Sequence, residues 1–279
     1  MSQPQAIADP DALRRNRQRA QPDSFLHLEA RDELQHRLAE VNRRFTRPAI
    51  VTGLPQVWAD FLPGATVVPD DPVLELEPGA HDLVIHAMAL HWAADPVGQL
   101  IQARRALVAD GLLMAVALGG QTAAEARSAL AQAEAELTGG LSPRILPMGE
   151  IRDLGALLQR AGLALPVADS VTLRAAYRDL RHWAADLRAM GERNAMAARD
   201  RSPPPRALFD RAEDLWRAHF PAEGNRMLAT FELIFLTGWA PDESQPQPLR
   251  PGSASHRLAE ALGTQEEPLP ESIKIPRKD

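Results

Sequence analysis

The chain contains no cysteine. That excludes a disulfide, a thiolate nucleophile and any zinc site built on cysteine. Lysine is nearly absent: only Lys274 and Lys278 occur, and every other basic side chain on the scale of lysine is arginine. This reads as genome composition rather than function. The formal net charge is −6, so nothing electrostatic draws the chain to nucleic acid or to an anionic membrane. No apolar run reaches the roughly 18 residues that suggest a membrane span, and the polar N-terminus lacks a signal-peptide core. A cytoplasmic protein is the expectation. No Ser-His-Asp arrangement and no phosphate-binding Gly-x4-Gly-Lys loop is visible. His81, His86 and His91 recur every five residues, a spacing that puts them on no common helix or strand face, and no metal site is expected.

What is present is ordinary globular composition: 279 residues, 45% hydrophobic and 24% charged, enough for a substantial core. The informative stretch is His81 to Gly98. Asp82-Leu83-Val84-Ile85 reads as a strand buried on both faces, the pattern of a parallel sheet. Leu90-His91-Trp92 and Asp95-Pro96 mark where that strand ends and a helix begins. Ligands of open α/β sheets bind outside the carboxyl ends of the strands. His91, Trp92 and Asp95 therefore sit where a site belongs.

The rest of the chain alternates short apolar runs with helical patterns. Residues 1–23 are polar, with Pro4, Pro10 and Pro22 and a cluster of Arg14, Arg15, Arg17 and Arg19. They read as a flexible arm, a substrate-facing basic arm being the alternative. The spacing of Leu34, Leu38, Val41 and Phe45 predicts a helix over 24–45. Strands follow at 49–52 and 65–68, with a helical piece over 54–62 between them and a third strand or irregular edge piece at 73–76. A helix is expected over 97–107, a turn at Asp110-Gly111 and a buried strand over 112–118. Thr122 and Glu125 form a capping-box pattern, opening a helix that stops at Gly139-Gly140. Further elements are a helix over 151–162, strands over 163–169 and 171–176, helices over 180–190 and 208–219, and a late strand over 230–238. The order predicts an α/β protein with a doubly wound, mostly parallel sheet and a shortened N-terminal half. The organisation reads as one domain over 24–240, a C-terminal extension over 241–262 packed on it, with a helix at 255–262, and a disordered tail over 263–279.

The string DLVIHAMALHWAADP resembles the fourth strand and following loop of class I S-adenosylmethionine (SAM) dependent methyltransferases. Its LHWxxDP form is most similar to the branch holding the malonyl carrier-protein methyltransferases of the biotin pathway and the arginine-hydroxylating complex I assembly factors. FLHLEARDELQHRLAEVNRRF, the region from Gly119 to Asp169, DLRAMGERNA and FELIFLTGWAPDESQPQPLRPGSA look like the same branch, in its alphaproteobacterial form. The resemblance covers about residues 24–262. It implies a Rossmann-like methyltransferase fold whose last strand inserts antiparallel, SAM as cofactor, and a protein or carrier-protein substrate. A respiratory complex assembly partner is the narrower version.

The family places an acid and a Gly-x-Gly-x-Gly turn after the first strand. Here the aligned positions hold Val51, Gly53, Pro55 and Val57. Pro55 removes an amide, and Val57 adds a branched side chain where the backbone should be bare. Gly53 and His91 with Asp70 or Asp71 form the candidate cofactor set, the two aspartates being alternatively turn residues between prolines. His91 would act as proton acceptor or substrate hydrogen-bond donor beside the ligand. Asp95 would orient His91 or cap the next helix, the cap being the simpler reading. Trp92 would wall the substrate pocket or pack as core. Arg144 would grip an acidic group on the substrate or form a surface salt bridge. Two functions follow: a SAM-dependent methyltransferase, or a catalytically inactive relative that keeps the fold as a binding or assembly module.

Overall fold

The computed structural model describes residues 7–246 and 263–264. Two helices come first. Helix α1 (Pro10–Arg17) opens with Asp9 as its cap, whose Oδ1 accepts from the Ala12 amide at 3.0 Å, and with proline at the first helical position, where its missing amide costs nothing. Within the stretch expected to be a flexible arm, 1–23, residues 10–17 form a helix, and residues 1–6 lie outside the described residues. The physical reason is a face of Ala12, Leu13, Asn16 and Arg17 that is buried. Helix α2 (Phe25–Glu40) buries Leu26, His27, Ala30 and Leu34. It ends five residues short of the expected Phe45.

Strand β1 (Pro48–Val51) leads through Gly53 into α3 (Pro55–Trp58), a single turn rather than the longer helix expected. Strand β2 (Thr66–Val68) is followed by irregular chain, and no strand forms at 73–76. Strand β3 (His81–Ala87) runs into a 3-10 turn at Leu90–Trp92, then α4 (Pro96–Ala106) and β4 (Leu107–Leu118). Asp110, at φ 56°, lies within β4 rather than before it, near where the β3–β4 register shifts. Helices α5 (Ala124–Thr138) and α6 (Ile151–Arg160) precede β5 (Ala164–Tyr177), a continuous strand through Ser170 where two were expected. Helices α7 (Leu180–Met190) and α8 (Arg206–His219), the short β6 (Pro221–Ala222) and β7 (Arg226–Trp239) complete the described elements.

The strand order is β2-β1-β3-β4-β7-β5, with β6 paired to β7. β1 to β4 are mutually parallel, while β7 runs antiparallel to both β4 and β5. Alternation along the strands divides the core. Ile50, Leu83, Ile85, Met114, Val116, Phe231 and Phe235 face one layer, into which α2, α5 and α8 send Leu34, Leu130 and Trp216. Val51, Val84, Leu113, Ala115 and Ile234 face the other, covered by Leu100 of α4 and Leu158 of α6. A period of two in the strands with helices on both faces is the doubly wound arrangement.

The capping box expected at Thr122 and Glu125 does not form. The helix begins from Ala123, at φ 55°. The Thr122 hydroxyl donates to the Glu232 carbonyl and accepts the Glu232 amide at 3.0 Å, and Glu125 accepts the Thr230 amide at 3.0 Å. Partners on β7, remote in sequence, outcompete the local cap.

Residues 1–242 and 243–279 are two separate units. The extension expected over 241–262, its helix at 255–262 and the tail over 263–279 lie almost wholly outside the described residues. No helix among the described residues is long and apolar enough to cross a membrane.

Candidate functional site

The carboxyl edge of the parallel strands gathers Gly53 after β1, Asp70 after β2 and His91 after β3. Asp70 is positioned by a relay. Buried His86, near the end of β3, donates from Nε2 to Gln99 Oε1 at 2.7 Å, and Gln99 Nε2 donates to the Asp70 carbonyl at 2.9 Å and the Asp71 carbonyl at 3.3 Å. Burial pushes the His86 imidazole below its ordinary value, against the Gln99 hydrogen bond. The Asp70 side chain is 10% exposed, whereas Asp71 is exposed to solvent. Of the two candidates, only Asp70 has a largely buried carboxylate.

That carboxylate is already engaged. Arg17 of α1 donates from Nη1 to both Asp70 oxygens, at 2.7 and 2.9 Å, with its own side chain 9% exposed. The guanidinium lies against Gly53 so closely that a Cβ built there would overlap it. Gln56 fixes the same residue from behind, donating to the Arg17 carbonyl at 2.9 Å. The turn offers a ligand few free amides: the Leu54 amide donates to the Thr52 hydroxyl at 3.1 Å, and Pro55 has none. Val51 and Val57 are buried apolar groups. In this arrangement Arg17 occupies the space over Gly53 and holds the acid at the end of β2.

His91 and Trp92 share one partner that the sequence did not announce. Glu192, in the loop after α7, accepts from His91 Nε2 at 3.2 Å and from Trp92 Nε1 at 2.8 Å. His91 Nδ1 accepts the Leu118 amide at 3.4 Å, which fixes the proton on Nε2. The His91 and Glu192 side chains are 1% and 5% exposed. Burial would raise the Glu192 carboxyl, but its interactions with His91 and Trp92 outweigh it and hold the group below the ordinary carboxylate range. This pair can hold or move one proton at His91 Nε2. Trp92 also packs with Ala12, Leu13, Leu146, Ala195 and Met196, so it serves both core and site.

The other candidates stand apart. Asp95 caps α4, its Oδ1 accepting the Gly98 amide at 2.8 Å, and the partner that orients His91 is Glu192 instead. Arg144 donates to Glu134 at 2.5 and 3.2 Å, so its fork is spent on a buried carboxylate. Among the described residues no group of three or more His, Asp or Glu could hold a metal ion. Arg17, Gln99 and Glu192 were missed in the sequence. Arg17 stood within a visible arginine cluster and Glu192 within a string resembling the family, but neither has a local pattern that marks it.

The strand order, with the antiparallel β7 inserted between β4 and β5, defines a doubly wound, mixed α/β sheet. No family model matches the chain. It is 34% identical over 196 residues to the mitochondrial arginine-hydroxylase NDUFAF5 of Dictyostelium discoideum, covering 70% of this chain and 45% of that protein. It is 32% identical over 177 residues to the malonyl-[acyl-carrier protein] O-methyltransferase of Laribacter hongkongensis, covering 63% and 57%. A solved methyltransferase candidate from Bacillus halodurans superposes with a TM-score of 0.47 at 14% identity, over 76% of this chain and 99% of that one. The chain is similar to these arginine-hydroxylases and carrier-protein methyltransferases over 63–70% of its length. Its match spans about half the length of those two relatives.

Proposed function

We propose that the chain is a SAM-dependent methyltransferase-family protein that acts on a protein or carrier-protein substrate and that rests with its cofactor cleft closed. The observation that carries this reading is the Arg17–Asp70 pair seated on Gly53. The glycine and the acid stand at the ends of β1 and β2, the positions at which this fold takes a nucleotide, yet an internal side chain holds them. When bound, SAM supplies an electrophilic methyl group. The chain's own part is to place a substrate near the His91–Glu192 pair and to hold a proton at His91 Nε2. The carrier substrate is supported by the likeness to the malonyl carrier-protein methyltransferase, and a cytoplasmic setting goes with it.

The test is titration of the full chain with malonyl-acyl-carrier protein, followed by methyl label transfer from SAM. The expected result is saturable binding, with label appearing on the carrier. Absence of both binding and transfer would overturn the carrier reading. A second reading is an inactive binding module, in its narrower form an assembly factor for a respiratory complex. It is favoured by Val51, Pro55 and Val57 at positions where the family pattern needs an acid and glycines. Binding of carrier protein without any label transfer is the result expected of that module.

A further inference from the structure

Resting on this reading of the cleft, we propose that α1 is a displaceable latch and that Arg17 is an internal competitor for Asp70. The contacts have the form of an occupied ligand site. One guanidinium nitrogen is held by both carboxylate oxygens, with both side chains about nine-tenths buried. The carrier of that guanidinium is a two-turn helix, not a strand of the sheet.

The closed state is imperfectly satisfied. Nε and Nη2 of Arg17 are buried with no hydrogen-bond partner among the described residues. Buried donors left unmatched are costly, and a buried ion pair gains little over its desolvation. The Arg17–Asp70 contact itself therefore contributes little to closing, and a ligand that supplies better partners to Asp70 can replace Arg17.

The latch is also tied to the second half of the site. Asp9 donates its amide to the Ala195 carbonyl at 2.7 Å, and the Ala197 amide donates to the Ile7 carbonyl at 2.9 Å. Arg199 donates to Asp9 at 2.9 Å, and Asn16 donates to the Arg193 carbonyl at 3.0 Å. Just past the helix, the Gln21 amide donates to the Ala189 carbonyl at 2.7 Å. These moorings lie on the segment 189–199, which carries Glu192. Displacing α1 disturbs the segment that holds His91 and Trp92, so ligand entry at Gly53 and substrate engagement at His91 are coupled.

The experiment is calorimetric titration with S-adenosylhomocysteine of the full chain and of its Arg17→Ala and Asp70→Asn variants, with circular dichroism to establish folding. Arg17→Ala is expected to bind at least about tenfold tighter than the full chain, the loss of one competing contact. Asp70→Asn frees Arg17 as well but replaces the charged, two-oxygen acceptor with an amide, and is expected to gain nothing. A second measurement uses the unaltered chain: saturating S-adenosylhomocysteine should hasten tryptic cleavage after Arg14, Arg15 and Arg17. Equal affinity of the full chain and Arg17→Ala, or no change in cleavage at these arginines, would overturn the latch. Carrier-protein binding by the full chain reads the proposed function separately, and its failure leaves these two measurements intact.

Discussion

Glu192 and His91 lie 101 residues apart in the chain and meet at 3.2 Å in the interior. Removing the carboxylate leaves His91 Nε2 and Trp92 Nε1 without their acceptor. Glu192→Ala should destabilise the fold by about 3 kcal/mol, as when one partner of a buried pair is deleted. Glu192→Gln keeps an acceptor oxygen and should cost about 1 kcal/mol. Urea denaturation of the two variants checks this, and equal losses would show that the carboxylate is not bearing both hydrogen bonds.

Gly53 has no side chain, and that absence is what lets Arg17 reach Asp70. Gly53→Ala forces the guanidinium away while changing nothing on α1 itself. Trypsin should then cleave faster after Arg14, Arg15 and Arg17, with the melting temperature little changed. An unchanged cleavage rate would mean that α1 is held without the contact at Gly53.

His27 and His86 are fully buried. Burial lowers both imidazoles below the ordinary 6.5, opposed by the Met190 carbonyl at His27 and by Gln99 at His86. A histidine kept neutral in the fold but protonated in the unfolded chain takes stability away as pH falls below 6.5. One pH step below that value, the loss is up to about 1.4 kcal/mol for each. Melting curves at pH 7.5 and 5.5 should show the lower temperature at pH 5.5. A transition that is flat across this range would contradict it.

Glu134 lies beneath Ser142 and Arg144. Burial raises its carboxyl, but hydrogen bonds from Arg144 and Ser142 prevail and bring it from 4.5 down to about 2. A depressed carboxylate stabilises the fold above 4.5 and loses that contribution as pH falls toward about 2. The displacement corresponds to at most about 3 kcal/mol, less because Arg144 is partly solvated. Glu134→Gln should be less stable than the parent at pH 7, with the difference shrinking below pH 4.5 and closing only as pH falls through about 2. A constant difference across that range would break the assignment.

Much of the fold was legible because burial leaves a period. The alternation of Leu83, Val84 and Ile85 across two core layers and the Gly139 stop of α5 are local facts that any window of the sequence contains. The antiparallel last strand was expected from resemblance. Where local rules met distant partners they lost: Thr122 and Glu125 spent their capping groups on β7, and Arg144 was taken by Glu134.

The order of apolar and polar residues was enough to predict a mostly parallel sheet wound on both sides and to put His91 at the carboxyl end of a strand; Gly53 and Asp70 came into the site only through resemblance. Which groups those residues meet was decided only by tertiary structure. Arg17 and Asp70 are 53 residues apart, and no sequence period relates a helix before the domain to a strand end within it. Charged side chains choose partners by distance and desolvation, and both exist only once the chain has folded.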